Sequence, residues 1–259
     1  MMKLINKTNN PLYALQCVFT GLSWLGKAPL RKFLLLPILI NLVLYSVALV
    51  IGYFYLNDVI NHLIPGWLHW LSWLLWPLFF ICFVVAGFFS FTVLANLIAS
   101  PFYGKLAAKT LELIIQTKRS ETEEEEADSE FDFTEPNWLH VMFGELRRIA
   151  YLIKWMFVLL IISVIPGLNL LAPLLWALFG AWGCALEFFA YPLENKGLLF
   201  PEQKKLVASV RLGALSFGGV ILLGLGLPVL NLLVAPAAVI AATFYINGID
   251  EIAKQESEK

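Results

Sequence analysis

Residues 26–33 read Gly-Lys-Ala-Pro-Leu-Arg-Lys-Phe and run straight into 24 residues, Phe33 to Leu56, without a charge. Proline suits the first position of a helix, because it has no N–H to lose there and its φ is already helical. Leu30, Arg31 and Lys32 then fill the first turn, where unpaired backbone N–H groups and the positive end of the helix dipole attract an anion. Arg31 adds a planar fork of donors that matches two oxygens of a tetrahedral oxyanion. The chemistry these residue types support is anion binding at Leu30, Arg31 and Lys32. Basic residues also flank transmembrane helices simply as cytoplasmic anchors, and that reading stays open beside it.

A second pattern concerns the interior of the membrane. "PGLNLLAP" at 166–173 is nearly repeated by "PVLNLLVAP" at 228–236, and each interrupts an apolar run at mid-length. A proline at position 173 or 236 suits the start of a second half-helix, whose free N–H groups would face the membrane interior, a recurring device for anionic substrates. Asn169 and Asn231 either supply neutral polar contacts along a pathway or satisfy backbone groups freed by the turn. Glu187, near the return of the first hairpin, either lines its mouth together with Glu194 or pairs with Lys196. No catalytic constellation appears, since the three histidines are scattered at 62, 69 and 140 and no phosphate loop or nucleophile motif stands in a suitable context. Cys17, Cys82 and Cys184 stand alone in apolar surroundings, so no metal site, disulfide framework or cofactor is expected.

The elements that must position these groups follow from composition. The chain has 259 residues, 59% hydrophobic and 14% charged, with a mean hydropathy of +0.76. One soluble core cannot hide that much apolar surface, so the fold class is an all-α integral membrane protein forming one membrane domain, 1–259. Leu12, Leu15, Phe19, Leu22 and Leu25 recur at helical spacing and predict an amphipathic interfacial helix over 11–28. Residues 33–56 and 68–98 are long enough to be full transmembrane helices, at about 36 Å or more against a hydrocarbon core of roughly 30 Å. The two interrupted segments, 155–187 and 212–247, leave apolar arms of only 11 to 16 residues around their breaks. Arms of roughly 17 to 24 Å reach part-way across, which predicts two re-entrant helical hairpins, with two tilted short spans as the alternative.

Charge sets the side. All 18 Lys and Arg lie outside residues 33 to 104: five before the first span, seven from Lys105 to Lys154, four from Lys196 to Arg211 and two at the tail. Every basic residue then falls on one face, the cytoplasmic one. A cytoplasmic region over 105–150 contains an acidic loop, 121–135, with nine carboxylates and the composition of a solvated segment.

"LRKF" followed by Pro37 and Asn41, "LHWLSWLLWPL", "ANLIASPFYGKLA", "IPGLNLLAP", "YPLEN" and "LPVLNLLVAP" occur in an order that resembles the CysZ family of bacterial inner-membrane sulfate permeases. The resemblance runs from about residue 20 to 248. It implies sulfate transport into the cytoplasm for cysteine biosynthesis by a multi-pass protein, with sulfite and related oxyanions as further candidate ligands. It also implies binding at Pro29, Leu30, Arg31 and Lys32, the counterparts of the family's Gly-Leu-Arg-Arg stretch. Pro29 offers no N–H where that Gly has one, and Lys32 replaces a fork by a point charge. Where the family carries an acidic residue after its Pro-Phe-Asn-Gly stretch, this chain has Tyr103 and Ala108, with Glu112 the nearest substitute. The partners expected are sulfate, membrane lipid and further copies in a homo-oligomer, with no nucleic acid. Two alternatives remain: a proton-coupled sulfate symporter, and a non-transporting scaffold or regulator acting through the acidic loop. Deleting residues 121 to 135 separates the scaffold from a transporter. Sulfate flux into vesicles should survive the deletion largely intact, and its abolition would favour the scaffold.

Overall fold

The computed structural model describes residues 8–31, 102–120, 138–227 and 231–257, with isolated positions between 39 and 81. Two compact units divide the chain, one of Met1–Arg31 with Phe102–Lys259 and the other of Lys32–Pro101. In the smaller unit the described positions, among them Leu39, Val43, Val50, Trp73, Leu78 and Ile81, are helical and exposed. The remainder of the expected spans 33–56 and 68–98 lies outside the described residues, as do Lys32, Cys82 and the acidic loop.

The larger unit is built of helices, and no strand occurs among the described residues. Helix α1 is Pro11–Trp24, α2 covers 102–120 and α3 is Trp138–Val164. A 3₁₀ turn, Leu168–Leu171, leads into α4, Ala172–Glu194; α5 is Phe200–Ser209, α6 Arg211–Leu225 and α7 Asn231–Ser257. Local chemistry marks several boundaries. Asn10 caps α1 through its side-chain oxygen, which accepts from the Leu12 N–H at 2.9 Å, and Pro11 opens the helix. The turn before α4 pivots on Gly167, whose φ of 87° is a left-handed conformation natural to glycine. Gly197 at φ 74° ends the turn after α4, and the Leu198 N–H reaches back to the Leu193 carbonyl at 3.0 Å. Helices α5 and α6 meet at 103° across Val210.

The core lies where α4, α6, α7 and α1 meet, with α4 packed on α6 and α1 on α7. Small residues set the spacing. Ala181, Ala185, Ala214, Ala237 and Ala241 are buried, and a Cβ on Gly218 of α6 would collide with the Ala181 carbonyl of α4. Helices in lipid gain little from apolar burial against one another, so close backbone approach through small residues supplies the attraction. Around this contact the rings of Phe189, Phe217 and Tyr245 pack with centroids 4.5 to 6.2 Å apart. Tyr245 donates its hydroxyl to the Thr8 carbonyl, and Asn9 Oδ1 accepts from the N–H groups of Leu212 (2.7 Å) and Gly213 (3.2 Å), capping α6 from 203 residues away. Burial pushes the Cys17 thiol up to about 12, against a smaller opposing effect of its hydrogen bond with Tyr13. The thiol is therefore neutral, and Cys17 packs as a small apolar residue.

The helices flanking the two breaks are mostly longer than the charge-free arms. The arms of the first segment count 11 and 14 residues, yet α3 has 27 and α4 has 23. Charge-free length measures only the apolar part of a helix, and these continue through Glu145, Arg148 and Lys154 on one side and Glu187 to Glu194 on the other. In the second segment α6 has 15 residues and α7 has 27. Residues Leu168–Glu194 and Leu233–Glu251 are each long and apolar enough to cross a membrane. Pro173 stands in the first turn of α4, as its position after a break suggests. Pro236 does not begin a helix: α7 starts at Asn231, and Pro236 sits inside it. There its missing N–H withdraws the donor that the Leu232 carbonyl would otherwise receive.

Replacing Gly218 by Ala tests the close contact. We expect a loss of about 1 to 3 kcal/mol, read as an earlier thermal unfolding in detergent. Gly226→Ala is the control. Gly226 is in αR conformation, and the nearest non-neighbouring atom is 3.4 Å from where the added methyl would stand, so the midpoint should not change.

Candidate functional site

The basic turn follows directly on α1. Trp24 ends that helix and packs edge-on against Phe244 of α7, with centroids 4.7 Å apart, which anchors the turn to the core. The Lys27 ammonium lies 3.0 Å from the Trp24 ring centroid, a cation–π contact, and the Lys27 backbone N–H donates to the Trp24 carbonyl. Residues 28–31 are helical, and Leu30 is completely buried, so its side chain pins the turn. Arg31 is exposed, and its Nε donates to the Gly26 carbonyl at 2.8 Å. That bond fixes the root of the guanidinium and leaves both Nη groups out of it.

The backbone donors are arranged differently from the sequence reading. The N–H groups of Leu30 and Arg31 both donate to the Lys27 carbonyl, at 3.0 and 3.2 Å, because the helical turn starts before Pro29. The donors of this turn left outside these bonds are the Arg31 Nη groups and the ammonium of Lys27. Lys27 is the cation that sequence reasoning passed over. Trp24, three residues earlier, was the available sign, since a tryptophan at that spacing can hold an ammonium over its ring.

The interior residues separate into a tip and a base. Asn169 lies in the exposed 3₁₀ turn, where its N–H donates to the Ile165 carbonyl at 3.1 Å and its carbonyl accepts from the Ala172 N–H. Asn231 is the first residue of α7. Glu187 is 18 residues beyond Asn169, roughly 27 Å along a helix of that length, so tip and base do not form one site. Near the base, Arg148 Nη2 and Glu145 Oε2 are 2.5 Å apart. Glu187 interacts electrostatically with both, and Glu194 with both and through a hydrogen bond with Gln203. Lys196, by contrast, pairs with Asp250 of α7, and Lys118 pairs with Glu251. Among the described residues, no group of three His, Cys, Asp or Glu side chains could hold a metal ion.

Two motifs far apart in the chain meet here. Asn195, at the end of "YPLEN", donates its Nδ2 to the Gly104 carbonyl in "SPFYG" at 2.9 Å, 91 residues away. Tyr103 and Tyr191 stack edge to face beside it, centroids 5.5 Å apart. Tyr103, at the position of interest in α2, is also within electrostatic range of Glu187.

Comparison with known proteins adds a decisive observation. Residues 17–236 match the family described as "Sulfate transporter CysZ/Etoposide-induced protein 2.4". The chain belongs to this family. It is 35% identical over 237 residues to a protein named Sulfate transporter CysZ from Pseudomonas aeruginosa strain LESB58, covering 87% of this chain and 90% of that one. Its namesake in Pseudomonas syringae pv. tomato is 38% identical over 235 residues, covering 87% and 88%. The one from Pectobacterium atrosepticum is 33% identical over 230 residues, covering 87% and 81%.

The Asn195 contact is open to a direct test. Asn195→Ala removes one hydrogen bond and leaves the Gly104 carbonyl without that donor, a loss of about 1 to 2 kcal/mol. It should speed amide exchange in α2 selectively, whereas an unchanged α2 pattern would mean the bond contributes nothing there.

Proposed function

We propose that this protein transports sulfate across the bacterial inner membrane and supplies it for cysteine biosynthesis, with no catalytic step of its own. The observation that carries the reading is membership of a family whose curated relatives, at 33 to 38% identity over most of both chains, are named sulfate transporters. The anchored basic turn supports it chemically. Arg31 stands with its fork exposed beside Lys27, and Lys32 follows in sequence.

In this reading the oxyanion meets Arg31 and Lys32 first, as a charge-assisted contact in which the guanidinium spans two sulfate oxygens. Leu30 acts by burying its side chain and holding the turn in place. A dianion left dry in hydrocarbon would cost tens of kcal/mol, so the path beyond must be wetted or lined by dipoles. Two re-entrant hairpins, with Asn169 and Asn231 at their breaks, would provide such lining, and a homo-oligomer would bring several copies together. Proton coupling is the second reading, favoured by the carboxylates of Glu145, Glu187 and Glu194 gathered around the Arg148 guanidinium.

Radiolabelled sulfate uptake into vesicles containing the purified chain tests both. The double change Arg31→Ala, Lys32→Ala should reduce uptake at least about tenfold, the loss expected for one charge-assisted hydrogen-bonded contact. Undiminished flux would remove the site while leaving transport standing. Flux indifferent to an imposed pH gradient would favour the passive path over the symporter.

A further inference from the structure

Arg147, Lys154 and Lys204 lie outside the oxyanion turn and have no ion pair among the described residues. Arg147, Tyr151 and Lys154 fall at positions i, i+4 and i+7 of α3, so they share one face of that helix. Lys204 reaches the same face from α5, with its ammonium 4.8 Å from the Tyr151 ring centroid. Tyr151 is held by Phe200, centroids 5.7 Å apart, and by Trp155 at 6.5 Å. Among the described residues, Glu145 pairs with Arg148 and Glu202 accepts from the Leu199 N–H, so neither is paired with these cations.

The same stripe changes character abruptly. Continued by the same spacing it passes through Val158 and Ile161 to Ile165 just beyond the helix, all apolar and 37 to 63% exposed. From Lys154 to Ile165 is eleven residues, about 16 Å along a helix, or about half of a 30 Å hydrocarbon core. A cationic head region thus stands directly above an uncovered apolar track one leaflet deep. Free phosphate or sulfate has no use for that track. A diacyl phospholipid matches both parts.

We propose that this face of α3 and α5 binds an anionic phospholipid, its phosphate held among Arg147, Lys154 and Lys204 and one acyl chain lying along Val158, Ile161 and Ile165. Tyr151 and Trp155 sit at headgroup level, where amphipathic rings favour the membrane boundary, and basic clusters on the cytoplasmic side attract anionic lipid. None of its residues belongs to the turn at Arg31, so the proposal does not rest on the sulfate reading.

Native mass spectrometry of the full chain in detergent, with phosphatidylglycerol or phosphatidylcholine of identical acyl chains, tests the assignment. Phosphatidylglycerol should be retained preferentially. Arg147→Gln, Lys154→Gln and Lys204→Gln together should cut that retention on the order of a hundredfold, about fivefold for each cation. The charge-preserving set Arg147→Lys, Lys154→Arg and Lys204→Arg should retain it, which separates lost charge from misfolding. Equal retention of the two lipids, or unchanged retention by the triple Gln variant, would overturn the proposal. So would displacement of phosphatidylglycerol by millimolar inorganic phosphate, which would mark a site for free oxyanions instead.

Discussion

The larger unit depends on one approach of backbone to backbone. Gly218 of α6 lies so close to the Ala181 carbonyl of α4 that no side-chain atom fits between them. In a bilayer, where lipid is as apolar as leucine, such contact supplies the dispersion attraction that water would otherwise drive. Once α4 and α6 are locked at this distance, Phe189 must meet Phe217, and both must meet Tyr245 of α7. Tyr245 in turn reaches the chain's N-terminal segment at Thr8. The basic turn at Arg31 inherits its placement from this stack, through α1 packed on α7 and Trp24 against Phe244.

The charges of the unit divide by what they hold. Lys196 with Asp250 and Lys118 with Glu251 join separate segments at the polar end of α7. Arg148 is enclosed with carboxylates at the base of the first hairpin. Such pairs, whose partners are partly exposed, contribute modestly to stability and more to fixing which helix lies beside which. Arg31 and the α3 stripe differ because, among the described residues, their cations have no carboxylate in ion-pair contact. An excess of uncommitted donors is a requirement for receiving an oxyanion from outside.

Much of this was legible in the residues. Charge-free runs announced helices and a membrane, and Pro29 announced a helical turn, which the chain forms over 28–31. Pro173 marked the first turn of α4 because a proline after a glycine-containing break has few other places to stand. Pro236 misled because a proline can also stand inside a helix when the surrounding packing offsets its lost bond and the crowding against the Leu232 carbonyl. Helix ends were misjudged where polar residues continue an apolar helix, as from Lys154 back to Trp138. The union of Asn195 with Gly104 and the seating of Lys27 on Trp24 depend on tertiary placement. Periodicity carries no record of a contact 91 residues long. The engaged N–H groups of Leu30 and Arg31 were invisible for a simpler reason: the turn begins one carbonyl earlier than a proline-first reading assumes.

The cap that Asn9 places on α6 has a consequence for biosynthesis. The residue leaves the ribosome about two hundred residues before its partners at Leu212 and Gly213, and Tyr245 follows later still. Translation proceeds at roughly 5 to 20 residues per second, so the N-terminal segment waits ten seconds or more without its native contacts. During that interval α1 has its buried face, Ala14, Cys17, Val18 and Gly21, uncovered as well as its leucine stripe. The membrane surface is the natural holding place for such a helix. Closure of this core therefore waits for α7, which brings Tyr245 onto Thr8 and covers a helix made some two hundred residues before it.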